Sequence, residues 1–241
     1  MKILHFDCFS GISGDMTIGA LLDAGGDWDY LLQELQKLPI TAEYELEHQK
    51  TVKSGLSGTK FYVHFEEAKS HRHYSDIEKM IQESELTSLT KEMSLNIFRK
   101  IAEAEAKIHH VTLEKVHFHE VGAIDSIIDI VGTAILLENL GVEQVTSSPV
   151  PLGSGKMVMG HGLYPVPAPA TLEILKDIPI EKSDIVGELT TPTGAAIIKA
   201  LATSYGSIPS MIVEKVGYGA GEKSFPDRPN MLRMIIGSEK K

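Results

Sequence analysis

The run Ile124-Asp125-Ser126-Ile127-Ile128-Asp129-Ile130-Val131 constrains this chain more than any other segment. Ile124, Ile127, Ile128, Val131 and Ile135 recur at helical spacing. The segment is therefore predicted to lie in a helix over about 120–139, stopped near Gly141. Asp125 and Asp129, four residues apart, share one face of such a helix. Carboxylates in so apolar a helix are costly to bury unless paired or metal-bound. The fold must bury this helix and still give its two aspartates partners. A chain of 241 residues, 42% hydrophobic and 23% charged, is long enough to do so.

The other elements are read from periodicity and punctuation. Ile3 to Phe9 is a short apolar strand leading through a Gly/Ser turn into a helix over Met16 to Ala24, which Gly25-Gly26 ends. Asp27 is expected to cap a second helix. Glu43 to Val52 and Thr59 to Phe65 alternate as strands, a β-hairpin whose connection is expected to exceed two residues. Ser75-Asp76 would cap a helix over Ile77 to Ser84. A longer helix covers Thr90 to Ile108, with Leu95, Ile97, Ile101, Ala102 and Ile108 inward. Strand-like Val142 to Val150 leads into a Gly/Pro-rich stretch, 151–169, read as a long functional loop. A short helix over Ala170 to Lys176, a strand at Ile178 to Glu181 and a helix from Thr191 to about Ser204 follow. Strands at Met211 to Val216 and Met231 to Ile236 finish the chain. The predicted class is α/β in the mixed α+β sense, a sheet flanked by helices. One domain over 1–241 is expected, with room for two subdomains but no linker dividing them.

The formal net charge of −10 argues against an electrostatic grip on DNA or RNA. It still admits an anionic small molecule, because a local site can invert the global sign. The single cysteine, Cys8, permits no internal disulfide, which suits a cytoplasmic location. The N-terminus reads as a strand rather than a signal peptide, and no apolar run is long enough to span a membrane. Only the tail, Ser238-Glu239-Lys240-Lys241, is expected to be disordered.

Four groups of residues carry candidate chemistry. In the first, an extended Val116 to His119 would point His117 and His119 to one side, ahead of Glu120, Asp125 and Asp129. Gly122 and Gly132 would leave room beside them. Imidazoles with carboxylates suit nickel, zinc, manganese or iron. Histidines flanking a turn and structurally paired aspartates fit the same spacing. In the second, His71-Arg72-His73, two histidines could be auxiliary ligands or part of a solvated loop. The third is the opening turn, Asp7-Cys8-Phe9-Ser10-Gly11-Ile12-Ser13-Gly14-Asp15. It would present backbone N–H groups to an anion, with Asp7 able to bind a metal or accept a proton. Helix capping by Ser13 or Asp15 reads the same residues without a ligand. The fourth gathers Thr191-Pro192-Thr193-Gly194, a hydroxyl-rich helix N-terminus, with Gly160-His161-Gly162 and the glycines of 217–221, Gly219 among them. These are candidate substrate and anion contacts.

These segments together resemble a known family. The opening Asp7 to Met16 is similar to its first motif, and His117-Phe118-His119-Glu120-Val121-Gly122-Ala123-Ile124-Asp125 through Gly132 to its central signature. Gly160-His161-Gly162 with Pro165 to Thr171, Thr191 to Ala196, and Gly217 to Gly221 with Pro229-Asn230 follow in the family's order. The family is that of the pyridinium-3,5-bisthiocarboxylic acid mononucleotide nickel insertion protein, and the resemblance spans essentially the whole chain.

The resemblance implies a lyase-class, CTP-dependent cyclometallase of cofactor biosynthesis. It would insert Ni(2+) into a pyridinium mononucleotide carrying two thiocarboxylates, forming one carbon–nickel and two sulfur–nickel bonds. The product is the nickel-pincer nucleotide cofactor of lactate racemase. Full-length members continue into a C-terminal domain, where the resemblance places CTP with Mg(2+) or Mn(2+). This chain resembles the N-terminal part, so that domain, or a separate chain carrying it, is an expected partner, and a homo-oligomer is expected. Nickel held by imidazoles and carboxylates could pass to softer sulfur. Asp125 or Glu120 would take the ring proton. A nickel-storing chaperone and a metal-dependent hydrolase of a small phosphorylated molecule are the alternatives.

Overall fold

The computed structural model describes residues 1–66, 72–118, 123–159 and 162–239. In chain order the elements are β1 (Lys2–Asp7), α1 (Gly14–Asp23), α2 (Trp28–Leu35), β2 (Tyr44–Lys53), β3 (Leu56–Phe65), α3 (Tyr74–Glu83), α4 (Ser88–His109) and α5 (Ile124–Asn139). Then come β4 (Gln144–Ser147), β5 (Val150–Pro151), β6 (Gly153–Ser154), β7 (Lys156–Met159), β8 (Gly162–Pro165), α6 (Pro169–Ile174), β9 (Ile180–Glu181) and β10 (Gly187–Glu188). The last four are α7 (Pro192–Leu201), β11 (Ala202–Tyr205), β12 (Met211–Ala220) and β13 (Met231–Glu239).

Seven strands form one mixed sheet in the order β11-β4-β1-β13-β12-β3-β2. β1 lies parallel to β4 and antiparallel to β13, so the first and last strands pair at the sheet's centre. Leu4 and Phe6 on β1 and Met234 and Ile236 on β13 are fully or almost fully buried. One connected apolar cluster runs from these residues through α1, α4, α5 and α7. The sheet flanked by helices is thus the architecture that the alternation of periods predicts.

Several local expectations are corrected. The β2–β3 connection has only two residues, Ser54 and Gly55, with φ of 50° and 81°. Two positive φ values in succession match the right-handed twist of the strands, and glycine adopts one of them without strain. The residues on either side, read as loop, therefore join the ladder. Helix α3 begins at Tyr74, and Asp76 accepts from the His73 amide at 3.2 Å rather than capping the helix itself. Ile108 lies on the inward stripe of α4 yet stays 40% exposed, because the last turn overruns its neighbours. The stretch 151–169 is not one loop: β7 and β8 pair as an antiparallel hairpin within it. Helix α7 stops at Leu201, because Ala202 to Tyr205 pair in parallel with β4. Of the tail expected to be disordered, Ser238 and Glu239 belong to β13, the Glu239 amide donating to the Met1 carbonyl at 3.1 Å, and Lys240 and Lys241 lie outside the described residues. No helix among the described residues is long and apolar enough to cross a membrane.

Candidate functional site

Three helix N-termini and two strand ends converge on one cleft of about 510 Å³. Ser13, Gly14 and Asp15 open α1 on one side. Asp125, Ser126 and Asp129 come from the first turns of α5, and Thr191, Pro192 and Thr193 from the start of α7. Lys60 and Tyr62 of β3, Met157 of β7, and Glu188, Lys223 and Asn230 complete the wall.

Backbone ladders hold these pieces together. The Ile12 amide donates to the Leu189 carbonyl and the Thr191 amide to the Ile12 carbonyl, both at 3.1 Å. The opening turn is thereby clipped to the segment that starts α7. Thr191 caps α7, its hydroxyl accepting from the Gly194 amide at 3.2 Å. On the far side, Asn230 donates to the Lys223 carbonyl at 3.0 Å.

The predicted sharing of one helix face by Asp125 and Asp129 is what the structure has, and both border the cleft. Asp125 accepts from the Ser126 amide at 2.7 Å. Burial nevertheless raises its proton affinity above the ordinary carboxylate range, the Ser126 hydrogen bonds opposing and the charge of Asp15 assisting. Asp129 is raised well above that range, first by burial and then by Asp15 and Asp125, with Lys60 opposing. Asp129 Oδ1 is enclosed and has no hydrogen-bond partner among the described residues. Gly14 explains how it fits: a Cβ there would come within 2.3 Å of Asp129 Oδ2.

Asp15 does not invite an anion. It accepts from Ser13 and pairs with Lys60. Lys60 is almost buried on β3, and its ammonium lies 5.4 Å from the centre of the Tyr62 ring. No motif marks Lys60 or Lys223 in the sequence, whereas Asn230 stands in the Pro229-Asn230 pair of the family resemblance. A lysine in a strand is usually a solvated residue, and only the long-range pairing of β3 with β12 brings this one to α1.

The remaining candidates divide. Asp7 is paired with Arg233 across the β1–β13 ladder, Nε to Oδ2 at 2.7 Å, which occupies the carboxylate that was to bind metal or accept a proton. Ser10 donates to the Pro229 carbonyl at 2.8 Å, a structural tie. Gly11 and Gly194 face the backbone of Leu189 and Ile12, not a ligand. Gly219 lies inside β12, where a Cβ would stand 1.8 Å from the Met16 carbonyl oxygen of α1. Gly132 leaves no open space either, since the Ile18 side chain fills it. His73 and His117 form an isolated bridge with ring centres 4.8 Å apart, and neither borders the cleft. Arg72 between the two sequence histidines donates from Nη2 to both carboxylate oxygens of Glu43, at 2.7 and 2.8 Å. His71, His119, Glu120 and His161 lie outside the described residues. Among the described residues no three His, Cys, Asp or Glu side chains stand together closely enough to hold a metal ion.

The model of a family described as nickel insertion protein matches residues 4–241. The chain belongs to that family. Proteins named pyridinium-3,5-bisthiocarboxylic acid mononucleotide nickel insertion protein are among its curated relatives. The one from Geobacillus kaustophilus is 52% identical over 99% of this chain and 60% of its own length. That from Desulfitobacterium hafniense is 52% identical over 98% of this chain and 58% of its own. That from Staphylococcus saprophyticus is 52% identical over 96% and 59%. The chain therefore spans about three fifths of the length of the nickel insertion proteins it matches. No solved structure matches it.

Proposed function

We propose that this chain inserts nickel into pyridinium-3,5-bisthiocarboxylic acid mononucleotide, the molecule named in its relatives' descriptions, and that the cleft receives that mononucleotide. A cleft of about 510 Å³ falls in the range that holds a small organic ligand. The observation that carries the reading is Asp125, a carboxylate of raised proton affinity facing this cleft. Metallation of the ring replaces one carbon–hydrogen bond with a carbon–nickel bond and releases one proton. The two thiocarboxylate sulfurs supply the other nickel bonds. Asp125 is the group we assign to take that proton. Glu120, next to His119, is the other acceptor the sequence offers.

The phosphate is assigned to the start of α7, where Thr191 and Thr193 border the cleft with Ser13 across from them. Nickel is the substrate ion. We assign its delivery to the imidazoles His73 and His117, with His71 and His119 the neighbouring sequence candidates, because imidazole suits nickel. CTP with Mg(2+) or Mn(2+), which would drive this lyase-class cyclometallation, we place in the length of the relatives that this chain does not span. A second copy of the chain is the further partner we propose.

The test is nickel insertion into the mononucleotide by this chain, supplied with CTP and the remaining part of a relative. Asp125→Asn is expected to slow insertion by roughly 10²-fold or more, with nickel affinity retained. An unchanged rate would remove Asp125 from the reaction.

A further inference from the structure

The cleft and the histidine pair differ in donor chemistry. Every charged acceptor on the cleft wall is a carboxylate, and the described histidines lie off it. Oxygen donors favour hard divalent ions, whereas imidazole favours nickel and its neighbours. Five carboxylates, of Asp15, Asp125, Asp129, Glu188 and Glu222, line the cleft with two ammoniums, of Lys60 and Lys223, and Lys60 pairs with Asp15. Ionised together, five carboxylates and two ammoniums leave the wall three charges negative, which favours a cation.

Asp129 gives the second indication. Its Oδ1 is enclosed without a hydrogen-bond partner among the described residues, an arrangement that is costly unless something completes it. No three acidic or histidine side chains among the described residues close on one point. That rules out a cage made by those residues alone but matches the way magnesium is held. Magnesium takes one or two carboxylates, keeps several waters and completes its shell with substrate phosphate. The hydroxyls of Thr191 and Thr193 at the start of α7 border the same cleft and suit that phosphate.

We infer that Asp129, with Asp125 or Asp15 beside it, holds a hard divalent cation of the magnesium or manganese class. This ion clamps the phosphate of the mononucleotide into the cleft, at a site distinct from the one that handles nickel. The inference rests on the proposed function only for the substrate being a mononucleotide.

Mn(2+) is the probe, followed by electron paramagnetic resonance, with nicotinate mononucleotide as a stable pyridinium mononucleotide. Adding the mononucleotide is expected to tighten Mn(2+) binding at least tenfold, and Mg(2+) to compete. Asp129→Asn should weaken Mn(2+) binding at least tenfold and leave nickel affinity within about twofold, with the thermal transition retained. His117→Ala should do the reverse. Mn(2+) binding indifferent to the mononucleotide, or a parallel loss of both metals in Asp129→Asn, overturns the separate site. Phosphate release from the mononucleotide under Mn(2+) overturns the clamp in favour of hydrolysis. A chain that takes Mn(2+) and mononucleotide together but no nickel supports this site while contradicting the nickel reading.

Discussion

Asp129 is held where its charge is least welcome. Its carboxyl binds a proton more tightly in the folded chain than in the unfolded one, because burial and two neighbouring aspartates disfavour the anion. It therefore supports the metal-free fold below its unfolded pKa, and that support is lost as pH rises through the raised folded value. Asp129→Asn removes this penalty. The metal-free variant is expected to be more stable than the parent by about 1–3 kcal/mol at pH 8, an increase of roughly 2–4 °C per kcal/mol in melting temperature. The gain should vanish towards pH 4. A calorimetric pH series showing the variant less stable throughout would contradict the account. Cys8 makes a simpler case. It is fully buried, and burial pushes its thiol up to about 12. Since the thiolate is the reactive form, a disulfide reagent at pH 8 should modify Cys8 only in unfolded chain. Rapid stoichiometric labelling of folded protein would refute that. Both residues were partly legible in the sequence: a lone cysteine and aspartates in an apolar helix. Lys60 was not, because its role depends on pairing with Asp15, 45 residues away.

At the scale of elements, legibility followed the range of the forces that shape each one. Asp27 and Thr191 cap their helices through bonds to residues three positions on, and a short window of sequence contains both partners. β11 depends on β4, more than fifty residues earlier, so its local composition reads as the end of a helix. Gly217 and Gly219 misled for a similar reason. They have the composition of a loop, but they clear space on β12 for the backbone of α1, whereas Gly221 faces Asn230 and borders the cleft. Gly219→Ala is accordingly expected to destabilise by about 1–3 kcal/mol through overpacking, seen as a lower denaturant midpoint. A neutral result would mean that α1 does not lie this close to β12. The hairpin turn offers a milder test. Ala at Gly55, where φ is 81° and the surroundings are open, should cost about 1–2 kcal/mol from backbone strain alone.

For the whole molecule, pairing of the first and last strands at the centre of the sheet ties the opening turn, α5 and α7 to one core. That closure builds the cleft from segments as far apart as Ser13 and Asn230. The sequence placed the pieces on helix N-termini but could not say which would meet. It grouped the histidines with Asp125 and Asp129, because they are adjacent in the chain. The fold instead sets those aspartates with Asp15 and Lys60, and pairs His117 with His73. The account therefore stands on nickel being handled by the histidines while the cleft takes the mononucleotide. Equilibrium nickel titration of the chain against its His73→Ala and His117→Ala variants tests this most directly. The predicted result is a loss of nickel affinity of at least tenfold in each variant, with binding of nicotinate mononucleotide in the presence of Mn(2+) unchanged. Unaltered nickel affinity in both variants would contradict it.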